Sequence, residues 1–221
     1  MQLADKLLIC FILFLAVTLI PLSFASPHAF HETPQGPYYK TMSFYTHIKE
    51  VPIICVMQSE NRDLMLEYTT ILASEILNAN LPQSLHTYTK VIPFLEHDLM
   101  TPEQYPECFV FVLQSDDTDN NNFATTQFYN DYRLIKMNNL TLDFNDMLYI
   151  STHEIIHAVY GLEHLYCGPY LKCDGIMEPV FNSGDPYNLT QSDIDAIIEI
   201  NSIVHDNNVE FTPHWIPYRY S

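Results

Sequence analysis

Hydrophobic and polar positions in the first half of the chain predict short buried strands around one long helix. The apolar, β-branched run at residues 51–57 is typical of a buried strand. Apolar residues then recur at helical spacing over residues 59–80, and Ser59 stands in the capping position. Composition predicts three further strands, at residues 85–94, 108–113 and 132–137.

The second half predicts two helices separated by a long loop. The first helix runs to residue 160 with Thr141 or Asp143 as its cap, and Gly161 ends it in a left-handed conformation. A loop follows to about residue 187, and Thr190 caps a last helix that ends near residue 201. Strands and helices in this order predict an α+β fold rather than a regular βα alternation.

The N-terminal segment is typical of an export signal. Residues 7–24 are apolar except for Thr18, Pro21 and Ser23, and residues 23–25 (SFA) form the small-x-small pattern of a signal peptidase site. The apolar run is just long enough to span a bilayer, so the alternative is an uncleaved membrane anchor. Under both interpretations we expect the remaining chain outside the cytoplasm, secreted or anchored only through its N-terminus.

The rest of the chain divides into two flanking segments and a central domain. Residues 26–50 are rich in Pro, His and Tyr without clear periodicity, which predicts a tail or short pro-segment. Residues 51–201 contain every predicted strand and helix of the folded domain. Residues 202–221 form an aromatic-rich C-terminal tail that either packs back on the domain or binds a partner.

The charge balance excludes one large class of partners. The chain has 9 Lys and Arg residues against 27 Asp and Glu residues, a formal net charge of -18. Such a surface repels phosphate backbones and anionic lipid, so nucleic acid is not an expected partner. The acidic stretch at residues 114–122 is interpreted as a solvated loop. Its alternative is a calcium site formed by Asp116, Asp117 and Asp119, although their spacing matches no EF-hand.

The cysteines indicate disulfide bonds. Cys10 belongs to the apolar leader, and the remaining four cysteines are an even number in an exported domain. Four cysteines allow three pairings. Cys167 and Cys173 are nearest in sequence and enclose a short loop, which leaves Cys55 to pair with Cys108 on predicted strands.

A metal-binding pattern lies in the helix that ends at Gly161. His153 and His157 are four residues apart, so both imidazoles project from one face of the helix. Two neutral nitrogen ligands at this spacing suit one zinc ion, which binds histidine at ~2 Å. Glu154 directly follows the first histidine and can take a proton from a water molecule beside the metal. The alternative is an ordinary amphipathic helix that carries two histidines.

Gly161 and His164 extend the pattern. The glycine lets the chain turn back after the helix, and His164 three residues later can reach the same metal. Three histidines with an open fourth position are typical of a catalytic rather than a structural zinc site. The pattern therefore indicates metal-assisted hydrolysis.

Three blocks in the same order resemble the metzincin clan, and within it the matrixin (matrix metalloproteinase-like) group. The first is residues 153–164, HEIIHAVYGLEH. Residues 176–181, IMEPVF, are similar to the Met-turn and the wall segment after it. Residues 189–197, LTQSDIDAI, are similar to the start of the C-terminal helix.

The resemblance implies a role for each matching residue. His153, His157 and His164 would bind zinc, and Glu154 would be the general base. Met177 would form the hydrophobic floor beneath the metal, and two further residues would wall the substrate pocket, namely Pro179 and Phe181. The implied fold is a mixed sheet with an active-site helix and a smaller C-terminal subdomain that ends in a helix. Residues 51–201 would be its metallopeptidase catalytic domain, and a protein or peptide substrate would lie extended along an edge strand.

One departure from the family pattern concerns the third ligand. The family has H-E-x-x-H-x-x-G-x-x-H, whereas this chain has one extra residue between His157 and Gly161. Each added helical residue turns the chain by ~100°. A π-type bulge can absorb that rotation. Alternatively Glu163, which occupies the family's third-ligand offset, binds the metal in place of His164, since zinc also accepts carboxylate.

Cysteines mark two further departures. The cysteine switch of the matrixins is absent, because no cysteine lies between the leader and the first predicted strand. Cys167 and Cys173 are similar to cysteines that archaemetzincin-like proteins place after the third histidine, but the downstream C-x-x-C for a second zinc is missing.

We therefore expect one zinc ion and an exported endopeptidase. The competing hypothesis is an exported, non-catalytic zinc-binding domain of the same fold.

Overall fold

The structure of the chain is a computed structural model. It describes residues 36–41, 51–58, 64–93, 102–115, 122–129, 131–138, 142–168, 173–179, 184, 187–206 and 215–219. The predicted leader, the three aspartates of the acidic loop and Phe181 lie outside these ranges, so their assignments stay predictions. Ser59 also lies outside them, but its predicted role as a helix cap was wrong, because the helix begins at Met65 with Leu64 in the N-cap position.

Eight strands and three α-helices occur in the described ranges. The strands are β1 (Tyr38–Thr41), β2 (Ile53–Met57), β3 (Tyr88–Ile92), β4 (Cys108–Ser115), β5 (Ala124–Phe128), β6 (Arg133–Asn138), β7 (Leu162–Tyr166) and β8 (Trp215–Pro217). The helices are α1 (Met65–Asn80), α2 (Phe144–Ile155) and α3 (Gln191–Asp206). A π-helical segment, Ile156–Tyr160, continues α2 directly.

The larger sheet has the strand order β3-β2-β4-β6-β5. The first four strands in this order run parallel to one another, whereas β5 runs antiparallel to β6 and forms one edge. The central strands β2 and β4 are almost continuously buried, as parallel strands covered on both faces are. This mixed sheet confirms the predicted α+β class.

Alternate residues of the central strands enter two apolar clusters. Ile54, Val56, Val110 and Val112 belong to the larger cluster, which includes buried residues of all three helices. The residues between them, such as Cys55 and Phe111, belong to a smaller cluster on the opposite side of the sheet. Helices α1 and α2 therefore pack against one face of the sheet, and this packing fixes α2 relative to the edge strand β5.

A second, three-stranded sheet has the order β7-β1-β8, with both pairings antiparallel. Its strands come from the segment predicted as an N-terminal tail, the predicted loop after Gly161, and the predicted C-terminal tail. The loop prediction was wrong at β7, and β5 was also not predicted. The strands of the small sheet are short and pair with segments distant in sequence, so no local hydrophobic pattern identifies them.

The helix termini agree only in part with the sequence predictions. Asp143 caps α2, because its side chain accepts a hydrogen bond from the Asp146 backbone N–H at 2.9 Å. At the start of α3, Thr190 Oγ1 accepts a hydrogen bond from the Asp193 N–H at 3.2 Å. Helix α3 extends to Asp206, beyond the predicted end near residue 201.

Both predicted disulfides are present. Cys55–Cys108 joins the neighbouring parallel strands β2 and β4, and Cys167–Cys173 closes a short loop after β7. Two disulfides in one domain indicate an extracellular or otherwise oxidising environment. Within the described ranges, no helix combines the length and apolar character needed to cross a membrane.

Candidate metal centre

The end of α2 absorbs the extra residue between His157 and Gly161. His153 and Glu154 lie in the last turn of α2, and the chain then widens into the π-helical segment Ile156–Tyr160. Gly161 ends this segment with φ 65°, a left-handed conformation that favours glycine. The predicted π-type bulge is therefore confirmed, and it rotates the chain so that β7 can start back toward the histidines.

A β-bulge then directs His164. Leu165 pairs with Tyr39 and Leu162 pairs with Thr41, so β7 contains one more residue than β1 between these paired positions. The irregularity falls at Glu163 and His164 and changes which side chains face outward. Bulges often redirect a side chain in this way next to functional sites.

The three histidine side chains converge on one point. The Nε2 atom of His157 lies 3.0 Å from that of His153 and 3.3 Å from that of His164. The remaining separation, between His164 and His153, is 3.2 Å. Ligands that bind zinc at ~2.0–2.1 Å in tetrahedral geometry are about 3.3 Å apart. The cluster therefore fits a tetrahedral metal ion that has three imidazole ligands.

Backbone carbonyls fix the orientation of the two helix histidines. His153 Nδ1 donates to the Ile176 carbonyl at 2.7 Å, and His157 Nδ1 donates to the Leu162 carbonyl at 2.5 Å. A carbonyl only accepts, so the proton of each neutral ring is on Nδ1. The Nε2 lone pairs consequently point into the cluster, which is the orientation that metal ligation requires.

Burial keeps these histidines in the neutral form that binds metals. Desolvation lowers the pKa of His153 to about 4. Burial, together with the two neighbouring histidines, also holds the pKa of His157 well below its usual range. Desolvation lowers the pKa of His164 as well, although His164 is the most exposed of the three. All three rings are thus competent ligands near neutral pH.

Glu163 has a different partner. Its Oε2 atom lies 3.3 Å from the Lys40 Nζ on the neighbouring strand β1. The three residues that the structure brings together are therefore His153, His157 and His164. The identity of the metal, and ligation itself, remain predictions.

Glu154 lies beside the cluster and contacts the edge strand. Its side chain is buried, and Thr126 Oγ1 on β5 donates to Glu154 Oε2 at 2.5 Å. Burial raises the pKa of Glu154 to about 7, and the hydrogen bond from Thr126 opposes this rise. A carboxyl group with this pKa can accept and release a proton near neutral pH.

Residues 176 and 177, which resemble the start of a Met-turn, contact the segment that contains His164. Met177 is fully buried, and its carbonyl accepts the Leu165 N–H at 2.7 Å. Asp193 Oδ2 accepts the Ile176 N–H at 3.2 Å, and Cys167–Cys173 bridges the chain between β7 and this turn. These contacts couple the third histidine to the turn, while the role of Met177 as a floor beneath the metal stays a prediction.

A cleft of about 1020 Å³ opens above the histidines and Glu154. It is lined by β5 and the residues just before it, by the small sheet, and by Glu178 and Pro179. Pro179 is exposed and lines the cleft, as the resemblance implies. The cleft therefore lies next to β5, which is an edge strand of the larger sheet in the described part of the chain.

Some residues of this cleft were not identified from the sequence. Thr126 lies on β5, whose β-branched Thr-Thr pair was the one available signal. The small sheet supplies four more, which are Tyr38, Lys40, Tyr166 and Trp215. They come from three separated segments, so no spacing motif relates them.

Comparison with known proteins gives no match, either to a protein-family model or to a curated protein. The metzincin resemblance therefore rests on the three sequence blocks. The chemistry of the site rests on the geometry described above.

Proposed function

We propose that the protein is an exported zinc-dependent endopeptidase of metzincin-like fold. The observation that supports this most strongly is the convergence of three imidazole Nε2 atoms beside a buried Glu154, at the base of an open cleft. A purely structural zinc site has four protein ligands and needs no neighbouring carboxyl group. Three histidine ligands and a neighbouring glutamate outside the ligand set together favour a hydrolytic function.

The proposed chemistry divides between the metal and the chain. When bound by His153, His157 and His164, zinc supplies a Lewis acid that polarises a peptide carbonyl and increases the acidity of water. Glu154 takes a proton from the attacking water and delivers it to the leaving amine. Thr126 holds the Glu154 carboxyl group in one orientation.

The substrate class follows from the edge strand. β5 is hydrogen-bonded to β6 along one side, and Ala124, Thr125, Thr126 and Phe128 line the cleft. An extended peptide can add to such an edge through main-chain hydrogen bonds, which places one of its carbonyl groups over the cluster. The proposed partner is therefore a protein or peptide. The acidic surface still argues against nucleic acid.

The test compares wild type with Glu154→Ala. We expect both to bind about one zinc ion, because Glu154 is not a ligand. Hydrolysis of casein or quenched peptides should fall by about 10²–10⁴-fold in the variant, as loss of a general base predicts. Zinc content is measured by atomic spectroscopy and hydrolysis by fluorescence. If wild type binds zinc but cleaves nothing in a broad peptide library, the non-catalytic zinc-binding domain becomes the correct interpretation.

A matched pair of variants tests the third ligand. His164→Ala should lower zinc affinity strongly, because it removes one of the three converging nitrogen atoms. Glu163→Ala should retain zinc, because its carboxylate faces Lys40. Because the two residues are adjacent, each variant serves as the control for a general disturbance of β7 in the other. Loss of zinc in Glu163→Ala alone would contradict the proposed ligand set.

A further inference from the structure

The small sheet presents a row of aromatic side chains to the cleft. Tyr38 and Lys40 alternate along β1 with the buried Tyr39 and Thr41, so they share the outer face. Tyr38 is paired with Tyr166 across the strands, and Lys40 is paired with Trp215. All four residues line the cleft, as does His164.

These aromatic rings are in contact with one another. The centroid of the Tyr38 ring lies 5.0 Å from that of the Tyr166 ring and 4.9 Å from that of the Trp215 ring. The contact between Tyr38 and Trp215 is edge-to-face. Such contacts hold the rings in place without burying them completely, and Tyr166 keeps 54% of its surface exposed. We call Tyr38, Tyr166 and Trp215 the aromatic wall.

The charges around the aromatic wall limit what it can bind. Lys40 extends over the Trp215 ring at 5.9 Å, but Glu163 neutralises its ammonium group. The other charged residues that line the cleft, Glu154 and Glu178, are acidic. Among the described residues that line the cleft, an acidic side chain therefore meets no uncompensated positive side chain, and Lys40 already occupies the position where a cation would contact Trp215.

We propose that the aromatic wall is a subsite that binds a large apolar or aromatic side chain of a peptide lying in the cleft. This inference rests on the proposed peptidase function for its ligand class, but not on catalysis. The subsite adjoins the metal centre, because His164 and Tyr166 are two residues apart on β7 and both line the cleft. Its residues are not those to which the resemblance assigns the wall of the substrate pocket, Pro179 and Phe181.

The chain contains its own reporter for this test. Trp215 is the single tryptophan of the sequence and belongs to the aromatic wall, so its fluorescence emission reports occupancy without a label. The experiment uses zinc-loaded, full-chain Glu154→Ala, in which hydrolysis of the probe is expected to be too slow to disturb a binding measurement. The probes are short peptides that carry Phe, Ala or Glu at one position at a time and are otherwise identical.

We expect Phe to bind about tenfold more tightly than Ala at one peptide position, with a change in Trp215 emission. Glu at that position should bind more weakly than Ala. Adding Tyr166→Ala should abolish the preference for Phe, whereas adding Tyr166→Phe should retain it. The matched control is Tyr88→Ala, because Tyr88 is equally accessible, with 66% of its surface exposed, but lies on β3 outside the cleft. Zinc content verifies that each variant keeps an intact site.

Three results would overturn the subsite: no change in emission with any peptide, equal binding of Phe and Ala peptides at every position, or equal weakening by Tyr166→Ala and Tyr88→Ala. The proposed function fails in a distinguishable way. A wild-type protein that binds the Phe peptide through the aromatic wall without hydrolysing it has the subsite but no peptidase activity. A wild-type protein that cleaves peptides with no preference for Phe at any position has the activity but not the subsite.

Discussion

At the scale of single residues, the contact between Thr126 and Glu154 is the detail that most affects the proposed chemistry. Thr126 comes from the edge strand and Glu154 from the helix, 28 residues apart in sequence. The Thr126 hydroxyl group donates to one carboxyl oxygen of Glu154, so the other carboxyl oxygen is available for proton transfer. Thr126 is therefore a positioning residue, which acts on substrate through Glu154.

Thr126→Val keeps the shape of the side chain and removes this hydrogen bond. We expect kcat to fall by about tenfold, a magnitude typical for groups that orient a catalytic centre, while KM and zinc content change little. Steady-state kinetics with a quenched peptide measures the effect. Thr126→Ser should restore most of kcat because it restores the hydroxyl group. If Thr126→Val and Thr126→Ser reduce kcat equally, the Thr126 side chain has only a packing role.

The residues that could be predicted from the sequence are those whose chemistry is local. His153, Glu154 and His157 lie on one helix, so helical geometry alone predicts that the two histidines share a face. Thr126 could not be predicted in this way. Its position depends on how the edge strand lies against α2, and that arrangement is set by packing across the whole sheet.

At the scale of elements, the π-helical segment and the left-handed Gly161 together determine where the third histidine lies. The extra residue in the motif predicted the π-type bulge because residue counting along a helix is reliable. The strand that follows could not be predicted, since β7 exists only through its pairing with β1. The sequence thus indicated the rotation of the chain but not the strand that brings His164 to the cluster.

Gly161→Ala tests this turn. An alanine in the left-handed region costs about 1–2 kcal/mol, so the free energy of unfolding should fall by about that amount. Zinc affinity should also fall, because the start of β7 shifts. Chemical denaturation measures the stability. The matched control is Gly36→Ala, since Gly36 has ordinary φ and no atom within 4 Å of an added Cβ, and this variant should be nearly neutral. Equal stability losses in both variants would contradict the assigned role of Gly161.

At the scale of the whole molecule, one buried carboxyl group connects three distant segments. Asp193, near the start of α3, accepts hydrogen bonds from Tyr39 of β1 at 2.9 Å and from the Ile176 N–H, in the segment after Cys173, at 3.2 Å. It also accepts the Thr190 hydroxyl at 2.7 Å. Burial raises the pKa of Asp193, and its hydrogen bonds oppose that rise. The resemblance indicated the start of this helix, but not that Tyr39 in the predicted tail would contact it.

Tyr39→Phe tests whether this connection stabilises the fold. The Tyr39 hydroxyl group is fully buried, and burial together with Asp193 raises its pKa, so it stays protonated and donates. Without it, Asp193 loses one donor that water cannot replace, and the free energy of unfolding should fall by about 1–3 kcal/mol. Tyr88→Phe is the control, because an exposed hydroxyl group exchanges its partner for water at little cost. Since β1 also pairs with the strand that contains His164, we expect Tyr39→Phe to weaken zinc binding as well. A variant with full stability and full zinc affinity would show that β1 is held by its strand pairing alone.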